Sequence, residues 1–126
     1  MKAKNQLRIF IVEDNEIYAN SLSIFLQTRF PNIIEIKVFN TGEEFLNELH
    51  YEPDIVIMDY FLNTRNKEAA NGLEIIKRIK AQKVQTKIIL LSQQNKYSVP
   101  AIAISIYGCS YVQKGLEAFD QIEQLI

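Results

Sequence analysis

Short apolar runs rich in Ile and Val alternate along the chain with stretches whose apolar residues recur every three or four positions. The runs are Leu7–Val12 (LRIFIV), Ile33–Phe39 (IIEIKVF), Asp54–Asp59 (DIVIMD), Lys87–Ser92 (KIILLS) and the weaker Ser110–Lys114 (SYVQK), and they predict five strands. The stretches between them predict helices. From Asn15 to Arg29, Tyr18, Leu22, Phe25 and Leu26 form an apolar stripe that Pro31 closes off. Thr41–Glu44 (TGEE) has the form of a capping box, with Thr41 as N-cap and Glu44 reaching back, ahead of a stripe of Phe45, Leu46 and Leu49. Leu73, Ile76 and Ile79 mark a third helix. Pro100 suits the first turn of a fourth, which Gly108 can end in a left-handed conformation, and Phe119, Ile122 and Ile126 mark a fifth.

A β/α unit repeated five times implies the α/β class: a three-layer, doubly wound, five-stranded parallel sheet with helices on both faces and right-handed crossovers. In such sheets ligands bind beyond the carboxyl ends of the strands, so the residues that end each strand carry the functional information. Those residues are Glu13 and Asp14 after the first strand, Asp59 at the end of the third, Ser92 at the end of the fourth and Lys114 at the end of the fifth. An acidic pair or a serine in such a place is common as a helix cap when taken singly. All of them falling on one edge of one sheet is what points to chemistry.

Composition narrows the picture without redirecting it. The 126 residues suffice for one domain with a sizeable core, and 48% hydrophobic with 23% charged residues is ordinary for a globular protein. A formal net charge of −1 gives no sign of a nucleic-acid-coating surface. Cys109 is the single cysteine, which excludes an intramolecular disulfide and a multi-cysteine metal site. The first apolar run is too short, and too broken by Arg8, for a signal-peptide core or a membrane span, so a cytoplasmic location is expected. His50, the sole histidine, is expected to be exposed near a helix end, away from the strand ends, and Cys109 to pack as a small apolar residue.

Three crowded carboxylates repel one another and raise each other's pKa unless they share a cation. A hard divalent ion with oxygen ligands meets that need, and Mg²⁺, which takes one or two carboxylates plus a phosphate oxygen, suits the set Glu13, Asp14 and Asp59 better than zinc does in the absence of His or Cys. Lys114 adds a second positive charge and Ser92 a hydrogen-bond donor. Together they leave a place for a phosphoryl group, with Asp59 as a carboxylate nucleophile.

With these residues in hand, the chain resembles the receiver domains of two-component response regulators, from IFIVEDN through DIVIMDY and IILLSQ to IYGCSYVQKG. The resemblance implies the flavodoxin-like strand order 2-1-3-4-5. It implies Asp59 as phosphoacceptor from a sensor histidine kinase or phosphotransfer protein, Asp14 as direct ligand of Mg²⁺, Glu13 acting mainly through water, and the Phe61 carbonyl as a further ligand. It also implies Ser92 as the hydroxyl that meets the phosphoryl group, Lys114 as its ion-pair partner and Tyr111, three before the lysine, as the aromatic switch. The expected output is a change in the face formed by helix 4, strand 5 and helix 5, with a homodimer through that face and neither nucleic acid nor membrane bound directly. Such a module is a signalling domain and not an enzyme, beyond slow self-catalysed phosphotransfer and dephosphorylation.

Four features depart from the family pattern. Leu62 and Asn63 stand where a proline usually follows the phosphoacceptor, and a long polar loop, Asn63–Asn71, precedes Gly72. Gln93 replaces a small residue and Gly115 a proline. The loop is expected to be a surface insertion, because added length costs a loop little. None of the four removes a group the chemistry needs. The competing reading is a phosphorylation-independent pseudo-receiver that serves as an interaction module. A haloacid-dehalogenase-like phosphatase would need an acid where Phe61 stands, and a nucleotide-binding relative would need a Gly-rich loop after strand one. With only twelve residues after Lys114, the chain is expected to be a single receiver domain excised from the N-terminal part of a longer response regulator.

Overall fold

The computed structural model describes residues 5–61, 72–82, 85–93 and 101–126, excluding the side chains of residues 101 and 102. Five parallel strands, β1 (Leu7–Val12), β2 (Ile33–Phe39), β3 (Ile55–Asp59), β4 (Lys87–Ser92) and β5 (Ser110–Gln113), form one sheet in the order β2-β1-β3-β4-β5. Among the described residues, four α-helices lie between successive strands, α1 (Glu16–Arg29), α2 (Gly42–Leu46), α3 (Gly72–Ala81) and α4 (Ala101–Ser105), and α5 (Ala118–Leu125) follows β5. This is the flavodoxin-like doubly wound arrangement.

Side chains alternate across the sheet, so each inner strand feeds two cores. Ile9, Ile11, Ile55, Ile57, Ile89, Leu91 and Val112 pack with Leu22, Leu26 and Ile122 of α1 and α5. Phe10, Val12, Val56, Met58, Ile88 and Leu90 pack with Phe45, Ile75, Ile76 and Ile79 of α2 and α3. Burial on both faces explains why these strands appear in the sequence as unbroken apolar runs. On the second face Phe10 meets Phe39 edge-on at 5.1 Å and Phe45 at 6.2 Å between ring centroids.

Element ends show where side chains compete with the backbone. β3 begins one residue later than the apolar run suggests, because the Asp54 carboxylate accepts a hydrogen bond from the Arg8 backbone N–H at 2.8 Å. β5 stops at Gln113, although the Lys114 N–H still donates to the Ser92 carbonyl at 2.7 Å. The expected second helix breaks in two. Thr41 caps α2 by accepting from the Glu44 N–H at 3.1 Å, but the Glu44 carboxylate takes the N–H of Asn40, one residue before the cap, at 3.3 Å. The helix then tightens, with the Glu48 N–H donating to the Phe45 carbonyl, and Leu49 reaches the core from a separate 3-10 turn, Leu49–Tyr51.

Gly108 has φ +70°, which lets the chain reverse after α4 so that the Cys109 N–H donates to the Ala103 carbonyl at 3.1 Å. Cys109 is buried, and burial pushes its thiol up to about 11. His50 is exposed in the 3-10 turn, its ring 4.2 Å from that of Tyr51. Pro100 and the loop 63–71 lie outside the described residues.

Gly72 opens α3 beside the end of β3. A Cβ there would stand 2.6 Å from Cδ1 of Tyr60 and 2.7 Å from its backbone oxygen. The ring can turn away, whereas the carbonyl cannot. Gly72→Ala is therefore expected to destabilise the domain by about 1–3 kcal/mol, despite alanine's better helix propensity. Urea unfolding measures it, and an unchanged midpoint would show that α3 does not start against Tyr60.

Candidate functional site

The polar residues that end the strands lie along one edge of the sheet but divide between its two faces. Glu13, Asp59 and Lys114 continue the series that faces α1 and α5, whereas Ser92 and Tyr111 continue the opposite series. One strand edge thus carries two polar groupings, one over each face.

In the first grouping Glu13 is 1% exposed. Its backbone N–H extends the β1–β2 ladder to the Phe39 carbonyl at 2.9 Å, and its carboxylate accepts from the Asn15 N–H at 3.1 Å. Asn15 in turn caps α1, its side chain accepting from the Tyr18 N–H at 3.0 Å. Asp59 is held by its own turn: the Tyr60 N–H donates to the Leu91 carbonyl at 2.9 Å, and the Phe61 N–H donates to the Asp59 carboxylate at 3.0 Å. The Lys114 ammonium bridges the two acids. It donates to the second oxygen of Glu13 and lies 3.3 Å from Asp59 Oδ2. The Lys114 side chain as a whole is only 11% exposed.

Electrostatics follow from burial. Desolvation raises the Glu13 carboxyl above the usual carboxylate range, opposed by the hydrogen bond from Lys114 and reinforced by the charge of Asp59. Burial works against the charge on Lys114, but Glu13 and Asp59 outweigh it, and the ammonium titrates above its ordinary value.

Oxygen atoms of Glu13, Asp14 and Asp59 lie within 4.8 Å of one another. Three carboxylates against one ammonium leave negative charge unbalanced. An all-oxygen donor set of this span suits a hard cation and is a poor match to zinc. Both oxygens of Glu13 are engaged, one by Lys114 and one by the Asn15 N–H.

In the second grouping Ser92 is 1% exposed. Burial raises the pKa of the Tyr111 hydroxyl above its ordinary value, partly offset by a hydrogen bond with the Ser92 side chain. Phe61 sits beside Asp59, its ring 5.1 Å from that of Tyr60. Gln93 is exposed, and its backbone carbonyl accepts from the Gln113 side chain at 3.2 Å.

One neighbour escaped the sequence analysis. Tyr18, assigned by periodicity to the core stripe of α1, places its ring under the Lys114 ammonium at 4.6 Å. Its place one turn after the acidic pair was the available signal.

The sheet is thus doubly wound, with an acidic group and a lysine gathered at its carboxyl edge. Residues 9–126 match the response regulator receiver domain family, and the chain belongs to it. Solved structures agree. The N-terminal domain of an uncharacterised protein from Wolinella succinogenes is similar at 28% identity and TM-score 0.75, covering 94% of this chain and 90% of that one. The receiver domain of a DNA-binding response regulator from Colwellia psychrerythraea is similar at 25% identity and TM-score 0.74, with coverage of 95% and 98%. A chemotaxis protein from Vibrio cholerae shares the fold at 18% identity and TM-score 0.75, with coverage of 95% and 96%. No curated protein matches the chain in sequence. Among the described residues, no helix is long and apolar enough to cross a membrane.

Proposed function

We propose that this chain is a phosphoacceptor receiver domain of a two-component response regulator, with Asp59 as the residue that takes the phosphoryl group. The observation that carries the reading is the Lys114 ammonium shared between Glu13 and Asp59 with Asp14 alongside. An Asp59 oxygen attacks the phosphorus of a phosphohistidine on a sensor kinase or phosphotransfer protein. The P–N bond breaks, a P–O bond forms and the imidazole leaves with the electron pair.

The Phe61 N–H fixes one Asp59 oxygen, which leaves the other, beside Lys114, to react. Lys114 moves from carboxylate to phosphoryl without leaving the pocket. Mg²⁺, when bound, offsets the charge of the incoming group, and Asp14, Asp59 and the Phe61 carbonyl would hold it. The engagement of both Glu13 oxygens supports a less direct role for that acid. A cytoplasmic single module fits this function, with the α4, β5 and α5 face as its output and dimer surface. Exposure of the sheet to Mg²⁺ and acetyl phosphate tests the reading. A mass increase of one phosphoryl group is expected, and none at all would favour a phosphorylation-independent interaction module.

The bond between Ser92 and Tyr111 supports a two-state switch. Drawn to a phosphoryl group on Asp59, the Ser92 hydroxyl changes what the Tyr111 hydroxyl meets. A charge-assisted hydrogen bond contributes roughly 1.5–3 kcal/mol, whereas a swing from 1:99 to 99:1 needs about 5.5, so Lys114 and the cation must supply the remainder. Ser92→Ala is therefore expected to accept phosphate yet lose most of the coupling to Tyr111. NMR shifts of the Tyr111 ring with and without beryllofluoride report it, and a full wild-type response in the variant would sever the proposed link.

A further inference from the structure

We propose that Tyr18 is a positioning residue for Lys114, holding the ammonium over the reacting Asp59 oxygen through its ring face; the proposal rests on the phosphoacceptor reading above. The ring lies 4.6 Å from Lys114 Nζ, within cation–π range. It is itself clamped between two helices, meeting Phe119 of α5 edge-on at 5.5 Å, and Phe119 also packs on Phe25 of α1 at 5.3 Å. The lysine emerges at the end of β5 on a four-carbon stem, and Gly115 after it meets no neighbour within 4 Å of a Cβ. Two carboxylates draw the ammonium sideways, and the ring closes the side toward α1 and α5.

The hydroxyl explains why the ring is the operative part. Tyr18 Oη is buried and has no hydrogen-bond partner among the described residues. A buried hydroxyl left unsatisfied costs stability, so it does not account for the residue here, whereas the contacts of the ring with Lys114 and Phe119 do. Burial also raises the Tyr18 hydroxyl's pKa, so the ring stays neutral beside the acids.

The test compares Tyr18→Phe, Tyr18→Leu and Phe25→Leu with wild type in Mg²⁺ and acetyl phosphate, scoring the phosphorylation rate by intact mass. It also scores the Lys114 ε-methylene signals by NMR, in which a ring above the ammonium produces an upfield shift. Tyr18→Phe keeps the ring and should retain both the rate and the shift, with equal or greater stability. Tyr18→Leu should lose the shift and slow phosphorylation by about 2- to 10-fold, the kinetic equivalent of one cation–π contact. Phe25→Leu disturbs the same aromatic cluster without touching Lys114 and should leave the lysine signals in place. Tyr18→Leu with wild-type rate or wild-type lysine signals overturns the proposal, as does Tyr18→Phe failing in both. Wild-type protein that takes up no phosphoryl group overturns the phosphoacceptor reading and Tyr18's role in transfer with it, while the lysine signals still decide whether the ring holds the ammonium.

Discussion

Asp59→Asn is expected to abolish phosphorylation while the domain stays folded. The amide keeps the shape of the side chain, and its oxygen can still accept from the Phe61 N–H, which holds Asp59 at 3.0 Å. It has no carboxylate oxygen to attack phosphorus, so the rate falls to that of the unreacted chain. Folding should change little. Lys114 retains Glu13 as its partner, and the charge of Asp59, which pushes the Glu13 carboxyl upward, disappears. The lost pairing and the relieved repulsion oppose each other, so the net effect on stability is within about 1 kcal/mol. Intact mass after acetyl phosphate treatment and urea unfolding measure the two quantities. A phosphoryl adduct on the variant equal to wild type would remove Asp59 from its role.

Asp14→Ala should weaken Mg²⁺ binding by about 100-fold or more, and Glu13→Ala by about 10-fold, since a directly coordinating oxygen is harder to replace than a supporting one. The two oxygens of Glu13 already face Lys114 and the Asn15 N–H, so its removal acts mainly by freeing the lysine to turn wholly to Asp59. That shift would compete with a cation for the same carboxylate. Titration of the ion by NMR or fluorescence distinguishes the two variants. Unchanged affinity in both would eliminate the acidic group as the cation site, and a larger loss in Glu13→Ala would reverse the assignment of the direct ligand.

How much of this was legible in the chain depends on the kind of interaction. β1, β2 and β4 match their apolar runs residue for residue: β1 and β4 lie inside the sheet and are buried on both faces over most of their length, which demands nearly continuous apolar residues, whereas the edge strand β2 is marked by its β-branched residues with Glu35 and Lys37 among them. Departures occur at element ends, as where the Asp54 carboxylate takes the Arg8 N–H at the start of β3, or where a short helix tightens to bury Leu49. The strand-end residues were legible as a set, since a parallel sheet brings all its carboxyl ends to one edge, whereas the division of Glu13, Asp59 and Lys114 from Ser92 and Tyr111 between the two faces came from the structure.

Composition and periodicity therefore determined the class of fold, the strands and the residues gathered at one edge. Only the tertiary structure decided which carboxylate takes the lysine, a contact between residues 101 positions apart, because it depends on how the first and fifth strands are brought to opposite sides of the third. It also decided that Tyr18 lies beneath that lysine. Helical spacing fixes where side chains stand relative to one another around an axis, but the rotation of α1 about that axis is set by its packing against the sheet and α5.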